Sequence, residues 1–198
     1  MTIRNILFVF VLASFSIGSQ AETITKNEAI FAGGCFWCVE SDFDKIPGVL
    51  ETISGYIGGS EGVVPTYKTV SSGRTRYVEA VRIQFNPNVV SYEQLLNIYW
   101  KSIDPTVKNQ QFCDVGRQYR TEIFYVNEEQ RLSALASKKS LEASKPFNQP
   151  IVTLISKATK FYPAEGYHQD YHNKNPVRYK YYRWNCGRDQ RLESLWGT

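Results

Sequence analysis

The chain is organised around a short stretch, GGCFWCVE (Gly33–Glu40), in which a cysteine follows two glycines and precedes two aromatic residues. Apolar side chains after Cys35 recur at helical spacing, which predicts a helix over residues 36–45 with the thiol at its N-terminus. Unpaired N–H groups and the helix dipole favour an anion there, so we expect a lowered pKa for Cys35. The glycines allow a tight turn and leave room for a ligand near the sulfur. The alternative interpretation is a buried structural cysteine.

Residues 1–21 have the composition of a secretory signal peptide. Arg4 supplies a positive charge, residues 6–18 form an apolar run too short to span a bilayer comfortably, and small residues precede a predicted cleavage site after Ala21. We therefore expect a periplasmic or secreted protein with one domain over residues 22–198 and no stable membrane association after cleavage. An uncleaved anchor is the alternative.

Composition excludes several classes of protein. The formal net charge of +4 over 198 residues is mild and, in an exported protein, indicates no nucleic-acid partner. The sequence has no glycine-rich dinucleotide fingerprint and no P-loop, so we expect no organic cofactor. His168 and His172 stand four residues apart, as metal ligands on a helix do, but no third ligand follows at metal spacing, and we expect no metal.

The four cysteines stand at positions 35, 38, 113 and 186. In an exported protein they would ordinarily suggest two structural disulfides. A chain of this length can bury a core without such links, however, so redox chemistry competes with a structural role.

The predicted strands and helices alternate irregularly, and two strands, residues 49–56 and 77–85, follow each other directly. This pattern favours a single α+β domain with a mixed or antiparallel sheet, packed helices and a ferredoxin-like two-layer core. Ser91–Gln94 is a capping box that opens a helix to about residue 103, and Asn127 caps a second helix. The remaining predictions are strands at 28–32, 121–126 and 151–155, a short helix over 162–171, and a long irregular tail beyond residue 176.

Glu79 lies on the more apolar face of the strand over residues 77–85. An ionised carboxylate is costly to bury, so this group should be paired or have a raised pKa. Glu79 is therefore a candidate functional residue. The alternative is an edge position at which it reaches water or pairs with Arg76 or Arg82.

Seven blocks of sequence occur in one order between residue 30 and the C-terminus. They are GCFW (34–37), GYIGG (55–59), PTY (65–67), EAV (79–81), DPT (104–106), DVGRQYR (114–120), and HQDY (168–171) followed by KNP (174–176). Together they resemble the A-type peptide methionine sulfoxide reductases over nearly the whole mature chain. This enzyme type reduces one epimer of methionine sulfoxide.

The resemblance implies a function and a set of site residues. The Cys35 thiolate would attack the sulfur of a methionine (S)-sulfoxide, free or in an oxidised protein, while Glu79 protonates the oxygen. The implied substrate-binding residues are Tyr67 and Tyr119 for the oxygen, Phe36 and Trp37 for the methyl group, and Asp114 as a loop carboxylate that positions the substrate.

Cys35 would become a sulfenic acid, which a second thiol converts to a disulfide. Cys186 is favoured because it lies in a tail that resembles the resolving segment of many family members. Cys38, at thioredoxin-like spacing, is an alternative resolving thiol or redox relay, and Cys113 is interpreted as a packed or bystander thiol. A thioredoxin-like protein should restore the thiols, and we expect a monomer.

Two other functions remain open on the residues alone. A thiol–disulfide oxidoreductase would use Cys35 and Cys38 and would not need Glu79. A secreted binding protein would instead be stabilised by two disulfides.

Overall fold

The computed structural model describes residues 27–60 and 62–197, and the predicted signal peptide lies outside them. The strands are β1 Asn27–Gly33, β2 Val49–Ile57, β3 Val78–Phe85, β4 Gln110–Gln111, β5 Asp114–Val115, β6 Thr121–Tyr125, β7 Leu154–Lys157 and β8 Tyr162–Pro163. The helices are α1 Phe36–Asp44, α2 Tyr67–Ser71, α3 Tyr92–Ser102, α4 Glu128–Ser144, α5 Tyr171–Lys174, α6 Pro176–Asn185 and α7 Arg188–Trp196, with a 3₁₀ turn at Arg117–Tyr119.

Six strands form one sheet in the order β7-β6-β1-β3-β2-β8. Every neighbouring pair is antiparallel except β6 and β7, which run parallel. The central unit β1-α1-β2-β3-α3-β6 gives the strand order of a ferredoxin-like fold, and the predicted mixed sheet with packed helices is confirmed. A separate two-stranded ribbon joins β4 to β5.

The main core lies between one face of the sheet and helices α1 and α3. Phe31, Val81 and Ile83 project from this face and pack against Phe43, Leu95 and other helical side chains. Met1 is the single methionine of the chain, so this core consists of aliphatic and aromatic side chains without a thioether. Within residues 27–60 and 62–197, no helix has the length and apolar character needed to cross a membrane.

The predicted helix starts are confirmed by their caps. The Ser91 hydroxyl accepts the Gln94 N–H at 3.2 Å, and the Gln94 side chain accepts the Ser91 N–H at 2.8 Å. The side chain of Asn127 accepts the Gln130 N–H at 2.9 Å at the start of α4. These local hydrogen bonds satisfy N–H groups that a helix leaves unpaired, and short sequence motifs encode them.

Two predictions for the last third of the chain are wrong. The segment 162–171 is not a helix: Tyr162–Pro163 pairs with β2 at the sheet edge, where proline is tolerated, and a helix begins only at Tyr171. The tail beyond residue 176 is not irregular, since it forms α6 and α7. The predicted strand at 151–155 forms three residues later, as Leu154–Lys157.

Candidate active site

Cys35 lies where β1 turns into α1, at the N-cap position of the helix. Gly34 makes this turn with a φ of +87°, and a Cβ there would collide with the side chain of Gln111. The Cys35 carbonyl accepts the Val39 N–H at 3.3 Å, which fixes the first helical turn. The predicted placement of the thiol at a helix N-terminus is confirmed.

Glu79 projects from β3 toward this helix start and is only 2% exposed. Its Oε2 accepts the Phe36 N–H at 3.1 Å. Burial raises the pKa of Glu79 to about 8, although the Phe36 hydrogen bond opposes the change. Arg82 lies 3.8 Å from Glu28 instead of reaching Glu79. The buried carboxyl with a raised pKa is therefore confirmed, and the alternative of an exposed or arginine-paired edge position is wrong.

The expected lowered pKa of Cys35 is wrong in direction. Burial raises the pKa of Cys35 well above its usual value, and the neighbouring Cys38, Glu79 and Asp114 raise it further. These effects outweigh the helix N-terminus, since desolvation disfavours the charged thiolate. The pKa of Cys38 is instead lowered by a hydrogen bond with Cys35 and by the charge of Arg188, against the effect of burial. Cys38 is therefore the thiol of the pair that loses its proton more readily.

Two tyrosines face the thiol and the acid. Burial, followed by the charges of Glu79 and Cys35, raises the pKa of Tyr67 to about 12. Burial and the same two neighbours also raise the pKa of Tyr119. Both hydroxyls therefore keep their protons at neutral pH and remain hydrogen-bond donors. Glu165 positions Tyr67 by accepting its backbone N–H at 2.8 Å, a role that the sequence did not indicate.

Aromatic rings form the other side of the site. The Trp37 Nε1–H donates to Nδ1 of His168 at 3.1 Å, and the Tyr171 ring stacks on Trp37 at 3.8 Å with an interplanar angle of 6°. The Phe36 ring lies 4.9 Å from His168. Because Nδ1 of His168 accepts, its proton resides on Nε2. His168 is therefore a hydrogen-bonding residue beside the site.

The two histidines do not face a common position. His172 lies with its Nε2 3.4 Å from Oδ2 of Asp44, away from the aromatic stack that holds His168. Asp170, His172 and Asp44 offer ligand atoms within 4.8 Å of one another. Nothing else at this cluster indicates a cation.

Cys113 is bonded to Cys186, so its interpretation as a bystander thiol is wrong. Cys35 and Cys38 are free and buried. The chain therefore has one disulfide and two free thiols, not the two disulfides of the binding-protein alternative. Cys113 is exposed and Cys186 is half-buried. That Cys186 resolves the Cys35 sulfenic acid stays a prediction.

Tyr182 connects the disulfide to the buried thiols. Its hydroxyl donates to Oδ2 of Asp114 at 2.6 Å, and its ring packs against the cluster that contains Cys35 and Cys38. A carboxylate oxygen of Asp114 and the two disulfide sulfurs lie within 4.8 Å of one another. The sequence did not reveal Tyr182, because α6 has no clear apolar period.

Arg188 is a second residue that the sequence missed. Its guanidinium is 1% exposed and donates to the carbonyl oxygens of Ser102 at 2.7 Å and Gly33 at 3.4 Å. It also lies 3.5 Å from Asp42 and stacks over Phe112, 4.5 Å from the ring centre. This arginine therefore ties α7 to the end of β1, directly before the nucleophile.

The sequence of the chain matches a known protein family. Residues 27–198 match the family described as peptide methionine sulfoxide reductase. The peptide methionine sulfoxide reductase MsrA 2 of Rhizobium meliloti (strain 1021) is 49% identical over 193 residues, which are 98% of this chain and 94% of the relative.

Solved structures agree with the family match. The reduced form of Mxr1 from Saccharomyces cerevisiae has a TM-score of 0.73 and 29% identity, covering 79% of this chain and 90% of that one. Mxr1 in complex with Trx2 is similar in fold, with a TM-score of 0.53, 18% identity, and coverage of 75% and 88%. The family expected from the seven sequence blocks is thus confirmed, and the chain belongs to the peptide methionine sulfoxide reductases.

Proposed function

We propose that this protein reduces methionine (S)-sulfoxide, free or in oxidised proteins, to methionine. The observation that carries the proposal is the buried Glu79, whose raised pKa of about 8 keeps it protonated beside Cys35. A carboxylic acid that holds its proton at neutral pH can donate it to a departing oxygen. A disulfide oxidoreductase using only Cys35 and Cys38 would not need this acid.

The two sides of the site fit the two substituents on the sulfoxide sulfur. The methyl group packs against Phe36 and Trp37, which are held in place by His168 and Tyr171. The oxygen accepts hydrogen bonds from the hydroxyls of Tyr67 and Tyr119. The apolar side and the hydrogen-bond-donor side of the site together select one epimer. Exchanging the methyl group and the oxygen would place the oxygen against the aromatic rings, where it would be a buried acceptor without a donor.

The first chemical step transfers the oxygen to the enzyme. The Cys35 proton passes to Cys38 as Sγ of Cys35 attacks the substrate sulfur, and Glu79 protonates the oxygen. The hydroxyl then moves to Sγ of Cys35: an oxygen–sulfur bond forms there while the sulfur–oxygen bond of the substrate and the new sulfur–sulfur bond break, methionine leaves, and Cys35 becomes a sulfenic acid. Asp114 contributes by positioning, since its carboxylate is engaged by Tyr182 at 2.6 Å.

The sulfenic acid then condenses with a thiol and releases water. Cys38 is the adjacent free thiol, whereas Cys186 is bonded to Cys113. We therefore propose that Cys38, in place of the predicted Cys186, performs the condensation, and that Cys186 exchanges with Cys35 afterwards. A thioredoxin-like dithiol protein supplies the two electrons that each turnover consumes.

The proposal includes export. Residues 1–21 have the charge, apolar run and small residues of a cleavable leader, which would deliver the enzyme to the periplasm or the medium. Mass spectrometry of the exported protein should give an N-terminus at Glu22. Recovery of the protein with Met1 attached would contradict this part of the proposal.

Turnover assays with each sulfoxide epimer test the activity. Wild type should reduce the S epimer and leave the R epimer unreacted, and Cys35→Ser should reduce neither. Equal rates with both epimers, or activity in Cys35→Ser, would overturn the proposal.

A further inference from the structure

We propose that this protein has a second ligand site, which binds a small anion that carries two or more phosphoryl groups. The site is a surface cavity of about 560 Å³, and five cationic side chains line it: Arg76, Lys108, Arg117, Arg120 and Lys157. A cavity of this size is typical of sites for small molecules. The inference is independent of the proposed function, since none of these side chains takes part in the sulfoxide reaction.

The cavity lies on the face of the sheet opposite to helices α1 and α3. Ile155 of β7 packs toward the main core. Side chains alternate along a strand, so its neighbours Leu154 and Ser156 project from the other face, where they line the cavity. Ala80 of β3 packs on this second face, and the adjacent Glu79 therefore points to the core side. The cavity and the candidate active site are thus separated by the sheet.

Arg120 organises the cavity. Its Nε donates to Oε2 of Glu122 at 2.7 Å, and its Nη1 donates to the carbonyl oxygens of Arg117 at 3.1 Å and Arg76 at 3.4 Å. The guanidinium therefore holds the backbones of two other cationic residues and leaves their side chains available to a ligand. Binding costs less when the groups that meet the ligand are already held in place.

The remaining nitrogen of Arg120, Nη2, is available to a ligand. Within residues 27–60 and 62–197 it has no hydrogen-bond acceptor. Gly58, which also lines the cavity, lies beside it with a φ of +76°, and a Cβ on this residue would come within 3.1 Å of Nη2. The glycine thus leaves space next to a charged donor whose side chain is only 16% exposed. Such a donor forms strong hydrogen bonds with an oxyanion.

The charges of the cavity are not balanced within the protein. In the part of the chain that the structure describes, Glu122 is the only carboxylate that lines the cavity, and Arg120 already pairs with it. The other four cations form no salt bridge with any described residue. The cavity therefore carries a formal charge as large as the +4 of the whole chain. Like charges held together repel one another, and a bound anion would relieve this repulsion.

The donors indicate the chemical class of the ligand. Guanidinium groups bind oxyanions through pairs of parallel hydrogen bonds, and lysines add point charges. Linked phosphoryl groups supply several negative charges in a small volume, as this concentration of positive charge requires. Ser156 and Thr159 also line the cavity, and their hydroxyls can donate to phosphoryl oxygens.

Titration calorimetry with tripolyphosphate tests the site. At about 0.1 M ionic strength, where distant charges are screened, wild type should bind one tripolyphosphate per chain. The Arg76→Ala/Lys157→Ala variant removes two exposed cations of the cavity and should bind at least about tenfold more weakly. The Arg178→Ala/Lys139→Ala variant is the matched control. It removes the same charge from exposed positions on α6 and α4 and should bind within about twofold of wild type.

Thermal unfolding provides a second measurement. Tripolyphosphate should raise the Tm of wild type and of the control variant, because it binds the folded state, and should raise the Tm of Arg76→Ala/Lys157→Ala much less. Equal weakening of binding in the two double variants would assign the binding to overall charge and overturn the inference. No binding of tripolyphosphate by wild type, or tighter binding of a hexaglutamate peptide, would overturn it as well.

Discussion

The backbone N–H of Phe36 donates to Oε2 of Glu79 at 3.1 Å, and this contact joins the residue after the nucleophile to the proposed acid. The bond fixes one carboxyl oxygen and leaves the other to carry the proton toward the substrate. A glutamine can preserve the accepted bond but cannot supply an acidic proton. Glu79→Gln should therefore fold normally and lower kcat/KM for sulfoxide reduction by about 10²- to 10⁴-fold.

The control for this substitution is Glu51→Gln, an exposed change on the neighbouring strand β2, which should leave kcat/KM within about twofold. Alkylation of Cys35 should proceed in Glu79→Gln, showing that the thiol remains available. If Glu79→Gln retained wild-type turnover, the proton would have to come from another group.

The pKa of about 8 for Glu79 predicts a pH limit for activity. The protonated form is the active one, so the acid is fully available below this pH and is lost as the pH rises through it. At higher pH, kcat/KM should fall about tenfold for each pH unit. Rate profiles between pH 6 and 10 should show this limb in wild type and not in Glu79→Gln. If kcat/KM fell over the same pH range in both proteins, the fall would belong to the titration of a different group.

Cys38→Ser should separate oxygen transfer from disulfide formation. In enzyme whose Cys113–Cys186 bond is intact, Cys35 would be left without a neighbouring thiol, so its sulfenic acid should accumulate after one turnover. Mass spectrometry with a sulfenic-acid-specific trap should find the adduct on Cys35. Rapid loss of the sulfenic acid with formation of a Cys35–Cys186 bond would show that Cys186 performs the condensation itself.

Trp37→Phe should weaken substrate binding. A six-membered aromatic ring is kept and the five-membered ring that carries Nε1–H is lost, so Nδ1 of His168 loses its donor, and an unpaired buried acceptor costs about 1–3 kcal/mol. We expect the apolar side of the site to loosen and KM to rise about tenfold. Trp100→Phe is the matched control, since Trp100 Nε1–H donates to Ser137 at 2.7 Å away from the site. Trp100→Phe should lower the stability of the fold without changing KM. Equal effects of the two variants on KM would contradict the role of Trp37 in substrate binding.

Arg188→Ala should strongly destabilise the fold. The change removes donors from two buried carbonyls and leaves the buried Asp42 with one cation fewer. Breaking such a buried network costs about 3–5 kcal/mol, which urea unfolding can measure. The exposed Arg178→Ala on α6 is the control and should change the free energy of unfolding by less than about 0.5 kcal/mol. Equal stability of both variants would show that Arg188 does not hold α7 in place.

Local signals in the sequence predicted much of the fold. Side-chain caps such as Ser91 and Asn127 act within a few residues, and the alternation along β3 indicates that Glu79 shares the face of Val81. The C-terminal helices were missed for a physical reason. Helix α6 places Tyr179 and Tyr182 against the thiols and leaves charged and aromatic residues in solvent, so it has no continuous apolar stripe.

The sequence predicted which residues form the site more fully than it predicted their pKa shifts. Cys35, Glu79 and the two tyrosines come together as expected, but the direction of the Cys35 pKa shift depends on burial and on acids brought close by folding. The bond between Cys113 and Cys186 spans 73 residues, and spacing along the chain does not determine such a pairing.

The absence of methionine from the core has a consequence for the lifetime of the enzyme. Oxidants that create its substrates would convert a buried thioether into a bulky polar group and loosen the packing around it. Phe31, Val81 and Leu95 offer no such target, and the single Met1 stands in the predicted leader. The core of the enzyme therefore contains no side chain of the kind that the enzyme repairs.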